Sequence, residues 1–100
     1  MEIRKRNGEM AAFDAEKIRA AMRLAFTATN VEITEQSLNS LLRAVLKRLE
    51  EVRQLTVENV QDQVEQQLMA EGYYETAKAY ILYREKRAKA RAMRERIAAR

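Results

Sequence analysis

Apolar residues recur along this chain at intervals of three and four, in stretches separated by short polar breaks, and that spacing predicts four helices. The first covers about residues 15–28, entered at Asp14, with Ile18, Ala21, Met22 and Ala25 as its inward stripe. Thr27-Ala-Thr-Asn30 continues a helix poorly and ends it. Thr34 caps a second helix over about 35–53, where Leu38, Leu41, Leu42, Val45, Leu46, Leu49 and Val52 form the clearest amphipathic stripe in the chain. Thr56 caps a third, to about Ala70, with Val57, Val60, Val64 and Leu68 facing in. Gly72 suits the left-handed conformation that ends many helices. A fourth helix starts near Tyr73 or Tyr74 and carries Ala77, Tyr80, Ile81 and Leu82 on its apolar side. Past Arg84 the stripe thins to Ala88, Ala92, Met93 and Ile97, so this tail is expected to project from the body or pack on another chain. The four tyrosines, 73, 74, 80 and 83, share one helix and read as anchors at the edge of the core.

Only the N-terminus breaks the helical period. Ile3-Arg-Lys-Arg-Asn-Gly-Glu-Met-Ala-Ala12 reads as two short strands around Asn7-Gly8, the dipeptide that suits a two-residue hairpin turn with positive φ. That turn sets Arg6 against Glu9, Lys5 against Met10, Arg4 against Ala11 and Ile3 against Ala12. Ile3 and Lys5 then share one face and Arg4 and Arg6 the other. The expected fold class is α+β: a small four-helix bundle capped by an N-terminal β-hairpin.

Composition narrows the chemistry. One hundred residues make one domain. Without Cys there is no disulfide framework or thiolate zinc site, and without His the usual general base near neutral pH is missing. No carboxylate, Lys or Tyr pair stands out as catalytic. No apolar run approaches the roughly 18 residues of a membrane span, and no apolar leader follows the charged start, so a cytoplasmic domain is expected. The net charge of +4 is unevenly divided: residues 84–100 hold eight Lys/Arg against two Glu, which leaves residues 1–83 at −2. The body is therefore not a broad basic surface of the kind nucleic acids require.

The hairpin is the candidate site. A Lys beside an apolar floor suits a ligand with a flat apolar part and a charged part, such as a nucleotide. Lys17, in the first turn of the following helix, adds charge where free N–H groups and the helix dipole favour phosphate. A charged edge strand that resists aggregation explains the same residues.

Three runs resemble the ATP-cone family, the regulatory nucleotide-binding modules at the ends of ribonucleotide reductase subunits and in a bacterial repressor of reductase genes. They are Lys5-Arg6-Asn7-Gly8 with Phe13-Asp14 and Lys17-Ile18; Thr56-Val-Glu-Asn-Val-Gln-Asp-Gln-Val-Glu65; and Tyr74-Glu-Thr-Ala-Lys-Ala-Tyr-Ile-Leu-Tyr-Arg84. In order, they cover residues 3 to about 87. The resemblance implies that Ile3, Lys5 and Arg6 lie over the nucleotide, the basic pair reaching its phosphates. It puts Asp14 and Ile18 near the adenine and makes Lys17 a phosphate or ribose contact. Thr56 and Gln61 become polar ligands on the helix facing the hairpin, and Lys86 a further basic contact. Ala11 stands where some members carry an acidic residue near the base.

The resemblance further implies ATP or dATP as effector, with Mg2+, and no catalytic activity in the module itself. The partners it implies are ribonucleotide reductase subunits or the rest of a parent chain, with self-association that depends on the nucleotide. Residues 1–90 would form the module and 91–100 a basic helical extension leading out of it. The competing readings are a basic helical domain binding nucleic acid through Arg84–Arg100 and a structural interaction module pairing through the same tail. That tail lacks a sustained apolar seam for a coiled coil.

Overall fold

A computed structural model describes residues 2–5 and 7–98. Among these residues two strands, β1 (Glu2–Arg4) and β2 (Met10–Ala12), precede four helices: α1 (Ala15–Ala28), α2 (Glu35–Leu49), α3 (Val57–Ala70) and α4 (Tyr74–Ala98). The helices form a ring in which α1 packs on α2 and α4, and α3 packs on α2 and α4. The four-helix bundle with an N-terminal hairpin expected from the sequence is the architecture found.

The N-caps are the polar residues expected. The side chains of Asp14, Thr34 and Thr56 accept from the backbone N–H groups of Glu16, Ser37 and Asn59. Each satisfies one of the donors that a first turn leaves unpaired. The ends of α1 and α3 share one device. Asn30 at φ 55° and Gly72 at φ 84° follow the caps, and the next N–H reaches back to close the turn: Val31 to the Phe26 carbonyl at 3.1 Å and Tyr73 to that of Leu68 at 2.9 Å. The two closures meet in the core, where the Phe26 and Tyr73 rings pack edge to face with centroids 5.0 Å apart. Beside them the hydroxyls of Thr29 and the buried Thr76 lie 3.1 Å apart, which pairs the one buried polar side chain among the described residues.

The core runs from Ile18, Met22, Ala25 and Phe26 of α1 through Leu38, Leu41, Val45 and Leu49 of α2. It continues through Val60, Val64 and Leu68 of α3 to Ala77 and Tyr80 of α4. Several boundaries and placements differ from expectation. α2 ends at Leu49 rather than near residue 53, because Glu50, Glu51 and Val52 turn back on carbonyls three residues earlier. Val52 still packs on the core, but from that turn. Phe26, absent from the expected stripe, is buried, whereas Leu82 and Tyr74 are mainly exposed. α4 outruns the bundle, so Met93 and Ile97 are exposed along its last turns.

The hairpin register is shifted by one residue from the expected one. Glu2 pairs with Ala12, Ile3 with Ala11 and Arg4 with Met10, and the Lys5 N–H donates to the Glu9 carbonyl at 2.8 Å. The loop between Lys5 and Glu9 is therefore three residues long, not two. Gly8, at φ 87°, donates to the Lys5 carbonyl at 3.0 Å, and the Asn7 side chain accepts from the Glu9 N–H at 3.0 Å. Asn7 thus caps the turn with its side chain, and Gly8 supplies a left-handed residue, as in three-residue hairpins with a glycine bulge. The shift turns Met10 outward, 51% exposed, and puts Ala11 and Glu9 opposite Ile3 and Lys5. The hairpin is also tied to the bundle through its backbone. Arg4 N–H donates to the Leu55 carbonyl at 2.8 Å, and a parallel bridge joins Arg4 to Thr56 at the head of α3.

Among the described residues no helix is long and apolar enough to cross a membrane.

Candidate functional site

A cavity of ≈ 410 Å³ lies between the hairpin, the start of α1, the first turns of α3 and the middle of α4. Its volume falls within the usual range for small-molecule sites. Ile3 and Ala11 come from the paired strands and Phe13 from the connection to α1. Ile18, Ala21 and Leu24 follow from α1, Val57 and Val60 from α3, and Tyr80 and Tyr83 from α4. These make an apolar floor and wall.

The charged lining is one-sided. Among the described residues, Lys5, Lys17, Arg84, Arg87 and Arg91 line the cavity against the single carboxylate of Asp14. Lys5 follows β1 on the face it shares with Ile3. Lys17 stands in the first turn of α1, near the positive end of its dipole. On α4, residues 84, 87 and 91 recur at three and four, so one helix face aligns them as it aligns an apolar stripe. The Arg87 guanidinium lies 6.0 Å from the centroid of the Tyr83 ring, within cation–π range. Arg84 donates from Nη1 to Asp62 at 2.9 Å and also to Glu65, both on α3. Partial burial works against its charge, yet hydrogen bonds to Glu65 and then Asp62 outweigh it and hold its pKa above the ordinary arginine value. Burial pushes the Tyr80 phenol well above its ordinary range, so this hydroxyl stays protonated at any physiological pH.

Two of the residues that line this cavity each hold a buried polar atom without a partner: Gln61 at Oε1 and Arg91 at Nε. One is an acceptor and one a donor. A buried polar group without a partner is costly, and pairs of opposite kind beside one cavity fit a ligand carrying both donors and acceptors. The donor set as a whole suits a polyanion with a flat polar-edged apolar group, which describes a nucleotide.

Of the residues singled out from sequence, Ile3, Lys5, Asp14, Lys17, Ile18 and Gln61 line this cavity. Thr56 does not: its hydroxyl is engaged as the cap of α3, accepting from Asn59 N–H at 3.0 Å. Lys86 does not either. It follows Arg84 by two residues, roughly 200° round an α-helix, and is exposed. Arg6 lies outside the described residues. Arg84, Arg87 and Arg91 were not among the expected site residues, because the tail was expected to project from the body or pack on another chain. The 84/87/91 spacing, continuing the Ala77/Tyr80 stripe one turn at a time, was the signal available. Arg91 also falls within the segment expected to lead out of the module.

Comparison with known proteins gives a consistent result. The family model described as the ATP cone domain matches residues 1–89. The chain is 38% identical to the ribonucleoside-diphosphate reductase subunit alpha of Chlamydia trachomatis over 95% of its own length. It is 42% identical to that of Chlamydia pneumoniae over 93%. It is 36% identical, over 94%, to the vitamin B12-dependent ribonucleoside-diphosphate reductase of Thermoplasma acidophilum. The match takes in only 10%, 10% and 12% of those relatives, so the chain spans about a tenth of their length.

Proposed function

The chain belongs to the ATP-cone domain family, a nucleotide-binding regulatory module, and on that premise we propose that the cavity beneath its hairpin is where it binds ATP or dATP. The observation that carries this reading is the lining itself: among the described residues, five cations against one carboxylate around an apolar floor, with an unpartnered buried donor and acceptor on two of the lining residues. The adenine rests on the floor near Ile3 and Ile18, and the phosphates turn toward Lys5, Lys17 and the α4 arginines. Mg2+ would come with the nucleotide, held by its phosphates, because Asp14 is the one carboxylate lining the cavity among the described residues.

The module regulates and does not catalyse. By its relatives, we infer that it serves a ribonucleotide reductase in the cytoplasm, controlling activity and oligomeric state through contacts with reductase subunits or the rest of a parent chain. A ligand shifts such an equilibrium only by its difference in affinity for the two states, so ATP and dATP must differ in how well they fit each. The unit that binds extends through Arg91, and the residues beyond it lead out toward the reductase. Nucleic-acid binding through the tail is disfavoured because Arg84, Arg87 and Arg91 turn into the cavity.

Calorimetric titration of the chain with ATP and with dATP tests this reading. Saturable binding of both at micromolar to millimolar concentration is expected, weakening at high salt as phosphate–cation contacts are screened. Absence of saturable heat with either nucleotide at low ionic strength would overturn it.

A further inference from the structure

Arg84 occupies two places at once. Its side chain lines the cavity beneath the hairpin, and it also lines a small groove on the α3–α4 surface with Glu65, Ile81 and Glu85. Its bonds to Asp62 and Glu65 both leave from Nη1, and its side chain is 17% exposed. A guanidinium carries five N–H donors in a rigid fork. A ligand oxygen can therefore engage Nη2 or Nε first and then draw the whole group across. Asp62 and Glu65 sit three residues apart on α3, on the same helix as Gln61 and Val60, which face the cavity.

The geometry points to Arg84 as a phosphate-binding residue held in check, with Asp62 and Glu65 competing against the bound nucleotide for its guanidinium. This rests on the reading that the cavity takes ATP. A phosphate gripped end-on, through Nη1 as well as Nη2, competes with Asp62 and Glu65 for the same nitrogen, so Arg84 serves it in that way only by loosening its grip on α3. Occupying the site therefore carries a cost that lowers the affinity. It also links binding to the α3–α4 contact, and α3 is the helix whose head holds the hairpin through Arg4 and Leu55. Nucleotide entry thus frees two carboxylates on α3 and relaxes the seam between α3 and α4 beneath the lid.

The test is a thermodynamic cycle read by calorimetry with ATP. The variant Asp62→Asn with Glu65→Gln, near-isosteric at both positions, should bind ATP about fivefold more tightly than the wild type, the scale of a partly exposed ion pair. Glu85→Gln removes a charge from the same groove without a bond to Arg84 and should change affinity less than about twofold. With Arg84→Ala in place, ATP should bind more weakly, and the Asp62→Asn/Glu65→Gln gain should disappear. Circular dichroism confirms that each variant is folded. If the gain is absent, or persists without Arg84, the restraint is wrong while the nucleotide site stands. If no variant, wild type included, binds ATP saturably, the site and this inference fall together.

Discussion

Replacing Arg87 and Arg91 together with alanine should weaken ATP binding by at least about a hundredfold while leaving the melting temperature within a few degrees. Each guanidinium that meets a phosphate forms a charge-assisted bond of about 1.5–3 kcal/mol, and about 1.4 kcal/mol is a tenfold change. Stability should hold because neither residue contributes to the core. Arg91 carries a buried Nε without a partner, so removing it relieves a cost in the unliganded protein. The matched control is Lys89→Ala with Arg96→Ala, which removes the same charge from exposed α4 positions that do not line the cavity. That control should change affinity by less than about threefold, since screened surface charge counts for little. Equal losses in the two variants would mean that the helix acts only through its net charge.

Leu68→Ala should cost about 3 kcal/mol of unfolding free energy, measured by urea denaturation with an unchanged slope. Leu68 is fully buried in the last turn of α3, and its carbonyl accepts the Tyr73 N–H that closes the helix. Truncation leaves a void beneath that closure, where the backbone is pinned and the walls can collapse little. A domain of this size holds only about 5–15 kcal/mol in total, so the loss should lower the melting temperature by on the order of 15 °C. A loss below about 1 kcal/mol would show that the end of the bundle repacks freely.

The parts of this structure that local chemistry determines were readable in advance. Asp14, Thr34 and Thr56 cap because a short polar side chain can reach an unpaired N–H, and Gly72 ends α3 because it accepts positive φ without strain. Other features depend on competition between local solutions. Asn7-Gly8 fits both a two-residue turn and a three-residue turn with Gly8 as the bulge. The bond from the Glu9 N–H to the Asn7 side-chain oxygen and the docking of Arg4 on Leu55 favour the second. One residue of register was enough to exchange Met10 for Ala11 on the cavity side. The α4 arginines were hidden for a different reason. Exposed cations and cavity-lining cations have the same composition, and only the place of the hairpin and α1 beside α4 distinguishes them. Lys86 and Arg87 differ by one position in sequence and by about 100° round the helix.

The most direct test of the nucleotide site is a backbone amide shift map by NMR as ATP is added to the isotope-labelled chain. Saturable shifts should centre on Lys5, Ala11, Lys17, Gln61 and Arg87, around the cavity. The groove between α2 and α3 lined by Lys47, Arg48 and Glu51 should stay unmoved. Saturable shifts confined to that groove, or none anywhere at millimolar ATP, would contradict the site.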